Sequence, residues 1–329
     1  NYHTRMNNLK TGILKFFCTL ISAIVPVKSW RHKVRYALNP LNDRRCTAYF
    51  TRKYAALPYN GFSVKALCTL PPATECLWLC WLQGEQQMPE LVKNCVRSVE
   101  KHKNKDQRIF IITEENYGRY ISLPDFIIKK RERGAIGNAH FSDILRVYLL
   151  AAYGGYWIDA TCLMTDAFPE GMSRLPFFMY HSQGEFAYTM IQNCFIHAKK
   201  SNYLITRWAQ LTTELWHNED RLRHYFQHHL MFKAMISSDN RARKEYEAMP
   251  YVNEKDTHTI QEWMKGKVVF STGLLEEAME KSFIHKLTYK LPADDTDGTE
   301  TFASHCSQPG INLPQAKQHS LTFSSAAPR

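Results

Sequence analysis

Four side chains in the middle of the chain have the types and spacing to handle a charged, hydroxylated ligand. Ser142, Asp143 and Arg146 lie in one short run, and Asp159 follows after the pair Gly154-Gly155. At about 100° per residue, a helix places Ser142, Arg146 and Asp143 at about 0°, 40° and 100°, on one arc. Carboxylates there can accept hydrogen bonds from sugar hydroxyls or hold a metal ion, and a guanidinium offers a rigid fork of donors to oxyanions. The same residues also make an ordinary i,i+3 ion pair, Asp143 to Arg146, beside a strand-capping Asp159. Taken singly, each residue suits either role.

The surrounding pattern supplies elements that would bring them together. Residues 76–82 are an apolar run of strand length, and Pro89 to Lys103 carries Leu91, Val92, Cys95 and Val99 at helical spacing behind a proline suited to a first turn. A second buried strand is expected over 107–113. Helices are expected over 124–133 and 137–153, the latter stopped by the two glycines, and a short strand over 156–159. Strand alternating with helix predicts an α/β sheet with parallel strands. Asp159 then falls at the carboxyl end of a strand, where open α/β sheets bind ligands. Helices over 200–217 and 220–236 make the later part mostly helical. Beyond Pro292 periodicity fails, so 293–329 is expected to be a loose tail.

Composition narrows the class. The 329 residues are 44% hydrophobic and 22% charged, which excludes a disordered, collagenous or coiled-coil chain. The net charge of +11 is uneven: residues 1–53 carry eleven Lys and Arg against Asp43 alone, so the body is nearly neutral. Within this arm, residues 13–27 are apolar except for Lys15, too short to cross a bilayer comfortably, and a basic stretch from Lys28 to Arg35 follows. That pattern suits an anchor on an anionic membrane surface, with a helix packed on the protein's own body as the alternative. No nucleic-acid motif accompanies the basic stretch, so nucleic acid is not an expected partner. The nine cysteines contain no C-x-x-C pair and suit reduced, buried thiols. No Walker-type phosphate loop is present, and Gly61-Phe-Ser-Val-Lys65 is not a nucleophile elbow.

Together, Ser-Asp-x-x-Arg, Gly-Gly and the following aspartate resemble the capsular polysaccharide synthesis proteins, relatives of glycosyltransferase family 32. The resemblance runs from about Trp78 to Lys290 and includes Trp81-Leu-Gln-Gly84, Asn193-Cys-Phe-Ile-His-Ala198 and His285-Lys-Leu-Thr-Tyr-Lys290. It implies an α/β, GT-A-like, Rossmann-type nucleotide-sugar-binding sheet over 54–292 with a helical C-terminal part. It also implies sugar transfer from a nucleotide-sugar donor to a hydroxyl of a glycan or lipid-linked acceptor, with retention, on the inner, cytoplasmic face of a membrane. By position, Asp143, Arg146 and Asp159 correspond to the catalytic and donor-sugar contacts. Trp81, with Gln83 and Gly84, corresponds to a nucleobase platform. Ser142, Gly154, Gly155 and Asn193 correspond to further donor contacts. His285, Lys286 and Lys290 are candidates to neutralise the departing diphosphate.

The family's Asp-x-Asp motif implies Mn²⁺ or Mg²⁺. Here the motif is Asp159-Ala-Thr161, which leaves one carboxylate and a hydroxyl for the metal. Asp166 is expected to cap a turn. A catalytically inactive nucleotide-sugar-binding scaffold and a paired-carboxylate glycoside hydrolase are the competing classes, the latter disfavoured by the clustering of the acids with Arg146.

Overall fold

A computed structural model describes residues 41–71, 74–291 and 298–311, together with 313, 314, 319, 321 and 323. The apolar and basic segments of the arm before residue 41 lie outside the described residues. Residues 41–50 are helical and run on into Thr51–Ala55, with Phe50 and Tyr54 buried. A boundary at residue 53 therefore falls inside a helix that belongs to the core.

The apolar run after residue 74 forms β1 (Glu75–Cys80), whose centre is buried on both faces. Helix α1 (Glu90–His102) returns the chain to β2 (Gln107–Ile112), paired parallel to β1 from Glu75 opposite Gln107 to Cys80 opposite Ile112. After α2 (Asp125–Glu132) and α3 (Asn138–Tyr153) the chain enters β3 (Gly155–Ile158) on the other side of β1, again parallel. Strand β1 is thus flanked by the strand after it and by a later one, an arrangement that opens a crevice at the carboxyl ends.

Two further strands, not foreseen from the sequence, complete the sheet. β5 (Phe177–His181) and β6 (Ile191–Ala198) extend it antiparallel, giving the order β2-β1-β3-β6-β5. A separate two-stranded ribbon pairs β4 (Cys162–Met164) with β7 (Ile284–Lys286), antiparallel, with Cys162 opposite Lys286.

Helices α4 (Tyr203–Asn218), α5 (Gln227–Ser238), α6 (Asn240–Glu247), α7 (Lys255–Lys265) and α8 (Thr272–Lys281) make up most of the later half. The helix expected from 220 begins at Gln227, because Glu219 and Arg223 are used elsewhere. Glu219 accepts from Tyr49, Tyr54 and Lys53, and pairs with Arg223 at 2.8 Å, tying the leading helix to this loop.

The region beyond 293 is not simply loose. Thr301 forms a capping box over α9 (Phe302–Ser307), and Phe302 and Cys306 are buried beside Leu91 of α1 and Ile260 of α7. One apolar side chain per turn sufficed, too few to register as periodicity. Among the described residues no helix is long and apolar enough to cross a membrane, and all eight described cysteines are free.

Candidate functional site

The end of α3 and the start of β3 decide where the charged residues meet. Gly154 and Gly155 both have positive φ, 73° and 94°. A Cβ on Gly155 would come within 2.3 Å of the Cys76 carbonyl oxygen, and one on Gly154 within 2.5 Å of the Lys200 nitrogen. Only glycine permits this turn. It lets α3 lie against the sheet and brings the arc of Ser142, Asp143 and Arg146 beside the carboxyl end of β3. The glycines act through the backbone and do not line the cleft.

Arg146 is the hub. Its Nη2 lies 3.3 Å from Asp143 Oδ1 and 3.5 Å from Asp159 Oδ1, and also donates to Ser142 Oγ at 3.1 Å. Its Nη1 donates to the Asn193 carbonyl at 2.5 Å, and the guanidinium lies 4.9 Å from the centre of the Trp157 ring. Asn193, at the start of β6, also donates from Nδ2 to Asp143 Oδ1 at 3.1 Å. Trp157 donates from Nε1 to Asp159 Oδ1 at 2.9 Å. Each flat group is thereby fixed by at least two others.

The two carboxylates are driven apart electrostatically. Burial raises the pKa of Asp143 above the ordinary carboxylate range, and Arg146 offsets only part of that. Burial acts in the same direction on Asp159. There Lys286 and then Arg146 outweigh it and hold that carboxyl below its ordinary value. Burial acts against the charge on Lys286, but Asp159 outweighs it and raises that pKa.

A cavity of about 560 Å³ collects these groups. Trp81, Gln83, Ser142, Asp143, Arg146, Asp159, Thr161, Asn193, Lys286 and Lys290 all line it. Trp81 leaves β1 with its ring 5.4 Å from that of Tyr289, edge to face. Its Nε1 is buried without a hydrogen-bond partner, a donor that a ligand could satisfy.

Two other expected residues lie elsewhere. Gly84 lines an adjoining hollow with Gln83, where it forms the turn that follows Trp81 and donates to the Trp81 carbonyl at 3.0 Å. His285 is fully buried with Nε2 3.2 Å from Thr165 Oγ1, and burial pushes its pKa down to about 4. Successive residues of a strand face opposite ways, so the register that sends Lys286 into the cleft sends the neutral His285 out of it. Asp166 lies at a bend after β4, where it accepts from the adjacent Ala167 amide at 2.7 Å and from the His319 amide at 3.2 Å.

The cleft also contains residues that sequence reasoning passed over. Gln192 precedes Asn193, Tyr225 and Phe226 come from the loop before α5, and His229 from α5 itself. Only the paired His228-His229 in an otherwise apolar helix could have signalled this wall. Through Gln192, Phe226 and His229 the cleft adjoins a second hollow of about 440 Å³ lined by Phe186, Glu254, His258 and Gln261 among others.

A family model described as capsular polysaccharide synthesis protein matches residues 53–306. Over 173 residues the chain is 23% identical to O-glycosyltransferase braB of Annulohypoxylon truncatum, a match covering 47% of this chain and 41% of that protein. The match thus spans about two-fifths of that relative's length. Among solved structures, the PaToxG glycosyltransferase superposes with a TM-score of 0.35 at 13% identity, over 65% of this chain and 84% of that one. Because the family model runs from the leading helix through the sheet, the cleft and most of α9, the chain belongs to the capsular polysaccharide synthesis protein family.

Proposed function

We propose that the protein is a glycosyltransferase that moves a sugar from a nucleotide-sugar donor to a hydroxyl of a glycan or lipid-linked acceptor in cell-surface polysaccharide synthesis. One observation carries this reading. Asp143, Arg146, Asp159 and Lys286 converge in a single cleft at the carboxyl ends of β1 and β3, which Trp81 also lines. Such a cleft suits an aromatic base, a doubly charged diphosphate and a ring of hydroxyls. The α/β sheet with parallel β1, β2 and β3 supports a GT-A-like assignment.

In this reading Trp81 stacks on the base while Lys286 and Lys290 face the diphosphate. Asp143 and Asp159, held by Arg146 and Asn193, accept hydrogen bonds from the sugar. Among the described residues that line the cleft, no side chain stands out as a nucleophile. The acceptor hydroxyl attacks the anomeric carbon on the face that the diphosphate leaves, with retention. Its proton passes to the departing phosphate oxygen. The protein's contribution is positioning and charge stabilisation. The hollow beyond Phe226 and His229, with its aromatic ring, amides and carboxylates, suits the acceptor glycan. The basic arm before residue 41 would hold the protein on an anionic membrane surface, on its cytoplasmic side.

Turnover tests the reading. Purified protein given a panel of nucleotide-sugars should hydrolyse or transfer from one of them, and Asp159→Ala should abolish this. Tight donor binding with no turnover on any acceptor would favour the inactive scaffold instead.

A further inference from the structure

Glycosyltransferases with an Asp-x-Asp motif hold their donor diphosphate through a divalent cation, and the cleft can be examined for the place such an ion would take. Lys286 stands there. Its Nζ donates to Asp159 Oδ2 at 2.8 Å and to Thr161 Oγ1 at 2.6 Å, joining the first and third positions of the motif. The backbone brings Lys286 to this place. Cys162 pairs with Lys286 across the ribbon, and the Leu287 amide donates to the Thr161 carbonyl at 2.8 Å, so the base of the Lys286 side chain is held beside the motif by β4–β7.

The one carboxylate a divalent ion would use is already engaged. Asp159 Oδ1 is engaged by Trp157 Nε1 and lies 3.5 Å from Arg146 Nη2, so both carboxylate oxygens face N–H donors, two of them cationic. Magnesium takes about six oxygens at roughly 2.1 Å, mostly from water and substrate phosphate, and needs at least one free carboxylate from the protein; here the motif's single carboxylate is already held by Lys286. Among the described residues no group of three or more His, Cys, Asp or Glu could hold a metal ion. A cation placed beside Asp159 would also meet the like charges of Lys286 and Arg146.

We propose that Lys286 is the built-in counter-ion of the donor diphosphate, and that transfer by this protein needs no divalent metal. The inference rests on the sugar-transfer reading above. In the step, the bond from the anomeric carbon to the β-phosphate oxygen breaks and its electron pair stays on that oxygen. A bond from the anomeric carbon to the acceptor oxygen forms, and the acceptor's proton ends on the departing diphosphate. Lys286 keeps its own protons. Two of its N–H groups hold Asp159 and Thr161, and the third meets the growing phosphate charge. The same ammonium gives Thr161 a part in the motif, since its hydroxyl accepts from Lys286 Nζ at 2.6 Å.

Calorimetric titration of the full chain with uridine, guanosine, adenosine and cytidine diphosphates, in EDTA and again in Mn²⁺, tests this. At least one nucleotide should bind in EDTA, with an affinity that Mn²⁺ changes by less than about threefold. Lys286→Met should weaken that nucleotide by more than about tenfold while leaving the corresponding nucleoside, which lacks phosphates, unaffected. Lys286→Arg, which keeps the charge and the fold, should recover most of the loss. Binding that appears only with Mn²⁺ would overturn the proposal and leave the sugar-transfer reading standing. Absence of binding under both conditions would overturn both.

Discussion

Asp143 and Asp159, which come from a helix and from the end of a strand, share one guanidinium: Arg146 Nη2 lies 3.3 Å from the first and 3.5 Å from the second. Arg146 is itself almost fully buried, so the three charges form one unit whose geometry neither carboxylate could keep alone. A planar fork can serve both acids and the Asn193 carbonyl together, whereas an ammonium is a point charge. Arg146→Lys should therefore lower kcat/KM for the donor by roughly 10²–10³-fold, the range seen when a preorganised donor is lost from a site. Near-normal turnover in steady-state assays would remove Arg146 from its role.

The turn between α3 and β3 gives a stability prediction. Gly155→Ala places a methyl group against the Cys76 carbonyl at a φ of 94°. The backbone term alone is about 1–3 kcal/mol, and the clash adds to it. Thermal denaturation should show a clear fall in Tm, and an unchanged Tm would contradict the packing described.

Acid should unfold this protein through its buried histidines. Burial pushes His197, His258 and His285 down to about 4 and His229 to about 3. The unfolded chain binds these protons near the ordinary value of 6.5, so it gains protons that the folded chain refuses. The stability they contribute is complete above pH 6.5 and drains away as the pH falls toward 4. Tm measured across that window should drop steeply, and His285→Gln should flatten the drop. A flat profile would mean that these imidazoles are solvated in the folded state.

Much of this architecture was legible in the sequence because its signals are local. The apolar run of β1, the helical spacing of α1 and α3 and the two glycines each follow from neighbouring residues. The arc of Ser142, Asp143 and Arg146 follows from helical geometry. The β4–β7 pairing was not legible, since it joins strands of three residues across 120 positions with no periodicity to announce them. That pairing decides that Lys286, not His285, enters the cleft. The wall formed by Tyr225, Phe226 and His229 was hidden for the same reason, because its residues become neighbours of Arg146 only once the helices fold back over the sheet.

The adjoining hollow predicts a division of labour. Phe186 meets Phe226 edge to face at 5.9 Å and lies away from the donor groups. Phe186→Ala should raise the KM for an oligosaccharide acceptor several-fold and leave the donor Kd unchanged. Equal effects on both substrates would argue against an acceptor subsite there.

The helix over 41–55 sets where the arm can be cut. Deleting residues 1–40 should release the protein from anionic vesicles in a sedimentation assay and spare activity on a soluble acceptor. Deleting 1–53 removes Tyr49 and Lys53 from the buried Glu219, and should lower Tm as well. Continued vesicle binding by the shorter deletion would dismiss the anchor.

The central claim is that one cleft grips an activated sugar, and a crystal structure of the protein saturated with its best-binding nucleoside diphosphate tests it most directly. The base should lie against Trp81, with the phosphates on the side of Arg146 and Lys286. A nucleotide bound elsewhere, with these side chains untouched, would contradict the account.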